Sequence, residues 1–149
     1  MQPIAVLTVS ILSILAGACG SSEAPASSGD GGTSVFPSST LAVVASDGGK
    51  LQIAVRSAPY QPLIAGLESL ELIVTDASTG AAIDGLSITM TPWMPAMGHG
   101  SDTTPVVTGF GQGRYVVTDV SLFMPGEWQL RTQFSGPVTD SVEPTFTVD

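Results

Sequence analysis

Residues 86–91 read Leu-Ser-Ile-Thr-Met-Thr, an unbroken alternation of apolar and polar side chains. Successive side chains of a β-strand point to opposite faces, so this alternation is typical of a strand with one buried face. The pattern predicts that three side chains enter a core, namely Leu86, Ile88 and Met90. The stretch decides the fold class because a period of two does not fit an amphipathic helix.

The same period of two recurs along the chain. Two stretches alternate equally well, and their apolar faces comprise Leu51, Ile53 and Val55 in one and Trp128, Leu130 and Phe134 in the other. Shorter runs predict further strands at residues 41–45, 69–76, 105–108, 114–120 and 142–148. Turn-forming residues separate these runs, and Pro144 within the last one favours an edge strand. The sequence therefore predicts an all-β domain over residues 41–149, an immunoglobulin-like antiparallel β-sandwich of about seven strands.

The N-terminal residues indicate export. Residues 4–18 form an uncharged apolar run that is too short to span a bilayer and is typical of a signal-peptide core. The segment Leu15-Ala16-Gly17-Ala18-Cys19 resembles a bacterial lipoprotein signal, which implies that residues 1–18 are removed and that Cys19 is lipidated. The alternatives are an ordinary secretory signal cleaved near Ala18 and an uncleaved anchor.

Residues 19–40 separate this signal from the domain. They are mostly Gly, Ser, Ala, Pro and Thr, a composition with too little apolar surface to form a core. We expect a flexible linker that holds the domain near a membrane, facing the periplasm or the cell exterior.

The charge of the chain argues against one class of partner. Thirteen acidic residues stand against four basic ones, a formal net charge of −9. The basic residues are scattered along the sequence as Lys50, Arg56, Arg114 and Arg131. Nucleic-acid binding needs clustered positive charge, so we expect no nucleic-acid partner.

Residues 92–100, Pro-Trp-Met-Pro-Ala-Met-Gly-His-Gly, hold the single histidine of the chain. Two prolines and two glycines predict a stiff, irregular loop here. Thioether and imidazole groups are soft or borderline ligands that suit copper. Met94, Met97 and His99 are therefore the candidate copper ligands. Three further residues could contribute although each also suits a packing role, namely Met90, Met124 and Trp93.

The sequence does not favour an enzyme. A single histidine with no nucleophile set gives no catalytic triad. The glycines of residues 109–113 lack the lysine of a phosphate-binding loop. The carboxylates Glu68, Glu71 and Asp84 have the spacing of ordinary strand and turn residues. We therefore expect no catalytic residues.

Three motifs carry a family resemblance. They are Met90-Thr91-Pro92-Trp93-Met94-Pro95-Ala96-Met97-Gly98-His99-Gly100, Gly113-Arg114-Tyr115, and Met124-Pro125-Gly126-Glu127-Trp128-Gln129-Leu130-Arg131. Their combination resembles the YtkA-like family of small exported domains, which is related to the FixH group. The resemblance implies an immunoglobulin-like sandwich, an exported location, and links to copper handling and oxidase assembly.

Two hypotheses follow. The first is an exported, lipid-anchored sandwich whose Met/His loop binds copper for storage, delivery or sensing. The second is a metal-free accessory or interaction domain that uses the same loop to contact an envelope protein. A measurement of copper binding by the loop distinguishes the two hypotheses.

Overall fold

The computed structural model describes residues 35–149. The predicted signal peptide, Cys19 and most of the predicted linker lie outside these residues. The described part of the chain forms ten strands, β1 (Ala42–Ala45), β2 (Leu51–Ala58), β3 (Gly66–Asp76), β4 (Ser87–Met94), β5 (His99–Gly100), β6 (Val106–Gly111), β7 (Arg114–Leu122), β8 (Gly126–Ser135), β9 (Asp140–Val142) and β10 (Thr145–Val148). Residues 35–149 contain no helix long and apolar enough to cross a bilayer.

The strands form two antiparallel sheets. One sheet has the order β1-β2-β3-β7-β6, and the other has the order β10-β8-β4-β5 with β9 also pairing with β8. The prediction of an all-β antiparallel sandwich is confirmed, with ten strands in place of about seven. The additional strands are short, and His99–Gly100 is only two residues long. Short strands give little periodic signal, which explains the difference in number.

The core lies between the two sheets. Leu51, Ile53 and Val55 of β2 are buried, as are the alternating residues of β4 and β8 that the sequence assigned to the inner face. Met90 and Trp128 are both core residues, as their packing roles predict, and Trp128 is fully buried. Phe36 is also buried, so packed chain begins before residue 41.

Strand β4 extends further than predicted. It continues from Thr91 through Pro92 to Met94, although the sequence predicts an irregular loop from Pro92 onward. The carbonyl of Pro92 accepts a hydrogen bond from the Ser101 backbone at 3.2 Å, on the side of β4 away from β8. Because the N and O of one residue point to the same side of an antiparallel strand, the missing N–H of Pro92 also faces this edge side. The prediction of a loop at residues 92–94 is therefore wrong.

The sandwich has two ends that differ in their connections. The turn end carries the connections at residues 46–50, 77–86, 112–113 and 136–139. The loop end carries those at residues 59–65, 95–98 and 123–125. Asp149 also lies at the loop end, where its backbone pairs with Leu63 and Ala65.

The Asp140 carboxylate stabilises the turn end through hydrogen bonds. It accepts hydrogen bonds from the Ser46 hydroxyl at 2.6 Å, the Gly48 backbone at 2.8 Å and the Lys50 backbone at 3.2 Å. Desolvation alone would raise the pKa of Asp140, but these bonds and the Ser141 backbone N–H lower it to about 2. The carboxylate therefore joins the β1–β2 turn of one sheet to β9 of the other.

Tyr115 and Gly113 hold the β3–β4 connection at the same end. The Tyr115 hydroxyl donates to the Ile83 carbonyl at 2.8 Å and accepts from the Leu86 backbone at 3.1 Å. A Cβ on Gly113, whose φ is +71°, would lie 2.3 Å from the Val74 carbonyl oxygen. The Gly-Arg-Tyr motif is thus a structural element of the fold.

Candidate functional site

A hairpin between β4 and β5 positions the predicted ligands at the loop end. The backbone N–H groups of Met97 and Gly98 donate to the Met94 carbonyl at 3.2 and 3.0 Å, which closes a turn of residues 95–98. Gly98 has a φ of +67°, a conformation that glycine adopts without strain. Met94 and His99 flank this turn as direct cross-strand partners.

The register places the Met94 and His99 side chains together. Directly opposite residues of an antiparallel pair point to the same face, with Cβ atoms about 4.5–5.5 Å apart. Met94 is buried among the core residues, so this shared face is the inner one. The register therefore places a thioether and an imidazole side by side on the inner face at the loop end.

Gly126 makes room for Met94. A Cβ at Gly126 would lie 2.8 Å from the Met94 Cε atom, and the φ of Gly126 is +131°. A residue with a side chain at position 126 would force the Met94 methyl group to shift. The Met124-Pro125-Gly126 segment thus shapes the space that the Met94 thioether fills.

His99 is half-buried against an aromatic ring. Its imidazole stacks on Phe123 with ring centroids 5.7 Å apart and an interplanar angle of 13°. Its Nδ1 atom lies 3.3 Å from the Gly100 carbonyl oxygen. When Nδ1 carries the proton and donates to that carbonyl, Nε2 keeps its lone pair for a ligand.

Phe123 is in turn placed by Trp128. The two rings meet edge to face with centroids 5.4 Å apart, and the indole N–H of Trp128 donates to the Met124 carbonyl at 2.8 Å. Met124 itself is half-buried and packs against the core. The β7–β8 connection thus contributes a methionine and a stacked phenylalanine beside the hairpin.

The other sequence candidates lie in different places. Met97 is 59% exposed within the turn that joins Met94 to His99. Trp93 faces the opposite side of the sheet from Met94, where the Arg131 guanidinium lies 4.7 Å from its ring centroid. Met90 shares the inner face with Met94 but is four residues away, about 13 Å at the rise of a strand. Met94 and His99 are thus cross-strand partners, Met97 lies in the turn between them, and Met124 lies in the β7–β8 connection. Met90 lies further along β4, and Trp93 lies on the other face of the sheet.

The ligand chemistry of the group is restricted. Across residues 35–149, no three His, Cys, Asp or Glu side chains form a cluster able to hold a metal ion. A metal held by Met94, Met97 and His99 would have two thioether ligands and one imidazole ligand. Two thioethers and one imidazole suit a soft ion and do not suit magnesium or calcium, which prefer oxygen.

Two buried carboxylates were not apparent from the sequence. Glu71 is buried on the outer side of its sheet, where Arg56 pairs with it at 2.6 Å and Arg114 donates to its other oxygen. Glu68 is buried at the loop end; desolvation raises its pKa, and the backbone N–H groups of Tyr60 and Ile64 offset part of this effect. The sequence signal that could have identified Glu68 is the extension of the β3 alternation from Leu70 back to residue 68.

A family model described as YtkA-like matches residues 47–133. No curated protein sequence matches at a significant level. Three similar solved structures come from two bacterial proteins. A copper-bound variant of FetP from uropathogenic Escherichia coli is 9% identical, with coverage of 71% of this chain and 91% of that chain and a TM-score of 0.46.

The other two structures show a similar degree of likeness. The as-isolated form of the same strain's FetP, produced recombinantly in the periplasm of Escherichia coli, is 11% identical, with coverage of 73% of this chain and 92% of that chain and a TM-score of 0.47. The copper-reconstituted P19 protein from Campylobacter jejuni is 13% identical, with coverage of 66% of this chain and 89% of that chain and a TM-score of 0.45.

Proposed function

This chain belongs to the YtkA-like family, and we propose that it is an exported, lipid-anchored β-sandwich that binds a copper ion through Met94, Met97 and His99. The observation that carries the proposal is the cross-strand pairing of Met94 with His99 around a turn that contains Met97. The role is binding for metal handling or oxidase assembly, without catalysis.

The ligand set favours the monovalent ion. Thioethers are soft ligands that select Cu(I), and an imidazole completes a three-ligand set without a thiolate. Met94 is already ordered by the core, whereas Met97 is exposed on the turn. An ion arriving from solvent would therefore meet Met97 and His99 first, and Met94 would supply the inner ligand.

Export and anchoring rest on the N-terminal sequence. The apolar run of residues 4–18 ends at Cys19, the single cysteine of the chain. A lipidated Cys19 would hold the domain at a membrane surface. We expect Cys19→Ala to move the protein from the membrane fraction to the soluble fraction, and unchanged membrane association would reject lipidation as the anchor.

The test of copper binding uses the full-length chain in detergent, titrated with Cu(I) against a competing chelator. The variant Met94→Ala/Met97→Ala/His99→Ala should bind at least about a hundredfold more weakly, because all three ligands are lost. Met90→Ala is the matched control, since Met90 is a buried methionine of the same strand. Equal affinity of the wild type and the triple variant would reject the proposal.

The alternative function is a metal-free accessory or interaction domain. It is supported by two apolar side chains at the loop end, Met97 and Phe123, which are 59% and 45% exposed. Exposed apolar side chains grouped at one end are typical of a contact surface. A wild-type chain that fails to bind Cu(I) would favour this alternative.

A further inference from the structure

We propose that Phe123 is the positioning residue of the copper site, orienting the His99 imidazole by stacking. The inference rests on the proposed function and adds a residue that contributes no ligand atom. Its starting point is the near-parallel arrangement of the two rings, 13° apart in plane and 5.7 Å between centroids.

Few polar or aromatic contacts fix the His99 ring among the described residues. His99 belongs to a strand of only two residues, next to the turn of residues 95–98. Among the described residues its one polar contact is the 3.3 Å approach of Nδ1 to the Gly100 carbonyl oxygen, a long distance for a hydrogen bond. The stack on Phe123 is therefore the contact that is parallel to the imidazole plane and can restrain its rotation.

Phe123 is placed for this task by the residues around it. It follows the end of β7, and its ring meets the fully buried Trp128 edge to face at 5.4 Å. The indole N–H of Trp128 holds the Met124 carbonyl, which fixes the backbone directly after Phe123. A rigid core residue thus orients Phe123, and Phe123 orients His99.

The exposure of Phe123 distinguishes this role from ordinary core packing. Its side chain is 45% exposed, so burial contributes less than it does for a core phenylalanine. Aromatic pairs gain from stacked and edge-to-face geometry beyond the area they bury. Phe123 stacks on His99 and meets Trp128 edge to face, so these two ring contacts fix the orientation of its side chain.

Loss of the ring should weaken copper binding without removing a ligand. An imidazole that is free to rotate must be ordered when the ion binds, and ordering of one side chain lowers affinity by roughly 3–10-fold. Stacking needs an aromatic ring, so Phe123→Tyr should keep the affinity and Phe123→Leu should not.

The experiment combines Cu(I) affinity with NMR of the metal-free, full-length chain in detergent. The chain has one histidine, so the ring protons of His99 are identified without ambiguity. Phe123→Leu should abolish the ring-current shift of these protons and weaken Cu(I) binding about 3–10-fold. Phe123→Tyr should match the wild type in both measurements.

Phe110→Leu is the control, because Phe110 is exposed at the turn end beneath the Arg114 guanidinium, 4.9 Å from its ring centroid. It should change neither measurement. The inference is overturned if Phe123→Leu keeps the wild-type shift and affinity, or if Phe123→Tyr loses both. Absence of Cu(I) binding by the wild type would overturn the proposed function, while the NMR comparison would still decide whether Phe123 orients His99.

Discussion

The two ends of the sandwich are held by different interactions. At the turn end, Asp140 and the Tyr115 hydroxyl bind backbone groups, and the hydroxyls and backbone of Ser78 and Thr79 lower the pKa of Asp76 to about 2. At the loop end, the hairpin is placed by ring stacking and by the fit of Met94 against Gly126. Oxygen atoms hold the first end, whereas a thioether and aromatic rings place the hairpin at the second end.

The two kinds of interaction suit different roles, folding stability at the turn end and ligand binding at the loop end. A carboxylate whose lone pairs are filled by N–H and O–H donors is fixed in place and has little capacity left for a ligand. A thioether or an imidazole held by packing keeps its lone pairs free. We therefore expect substitutions at the turn end to change folding, and substitutions at the loop end to change copper affinity.

The largest expected effect contrasts two glycines. Gly113 at the turn end and Gly98 at the loop end have nearly equal φ values, +71° and +67°. Gly113→Ala adds a clash with the Val74 carbonyl to the strain of a left-handed backbone, and should destabilise the domain by about 3 kcal/mol or more. Gly98→Ala meets no atom within 4 Å and should lose only about 1 kcal/mol.

Urea unfolding at neutral pH measures both glycine variants. Equal losses of stability would show that backbone strain alone decides the outcome, and that the turn end is no more tightly packed than the loop end.

The next effect concerns Asp140. Asp140→Asn weakens the hydrogen bonds that join the two sheets, and should destabilise the domain by about 1–2 kcal/mol at pH 7. The pKa of Asp140 is lowered to about 2, against about 3.9 in an unfolded chain. The contribution of the ionised Asp140 carboxylate to the free energy of unfolding is therefore complete above about pH 5 and is lost as the pH falls towards 2.

Unfolding midpoints at pH 7, 4 and 2.5 test this pH dependence. The unfolding midpoint of the wild type should be higher than that of Asp140→Asn at pH 7, and the difference between them should become smaller at lower pH. Asp102→Asn, at an exposed carboxylate near the loop end, should stay within about 0.5 kcal/mol of the wild type. A margin that does not change with pH would contradict the role of the Asp140 charge.

The smallest effect on folding separates two methionines of β4. Met94→Leu and Met90→Leu each keep the buried volume approximately constant and should each destabilise the domain by less than about 1.5 kcal/mol. Only Met94→Leu removes a proposed ligand, so it should weaken Cu(I) binding about tenfold, which is about 1.4 kcal/mol. Competition with a chelator measures the affinity, and equal affinities of the two variants would remove Met94 from the site.

Much of the fold follows from local sequence patterns. The alternation in β2, β4 and β8 predicted the inner faces correctly, because the side-chain period of a strand is a local property. Pro144 correctly predicts the edge position of the last strand, since a residue without an N–H is tolerated there, but Pro144 lies between β9 and β10 and not within one strand. The extension of β4 through Pro92 was not predicted, because it depends on which side of the strand its partner lies.

The candidate site was only partly predictable. Soft ligands spaced two or three residues apart identified the region of Met94, Met97 and His99. The sequence could not show that Met94 is buried while Met97 is exposed, because that depends on the boundary between strand and turn. Phe123 carried no sequence signal as a neighbour of His99, which is far from it along the chain.

The sequence by itself determined the fold class, the inner and outer faces of the main strands, and which soft side chains are candidate ligands. These properties depend on side-chain type and short-range periodicity. The tertiary structure alone decided that Met94 opposes His99, that Phe123 stacks on the imidazole, and that Glu68 and Glu71 are buried. The physical reason is that strand register and contacts between distant segments arise only when the two sheets close over a shared core.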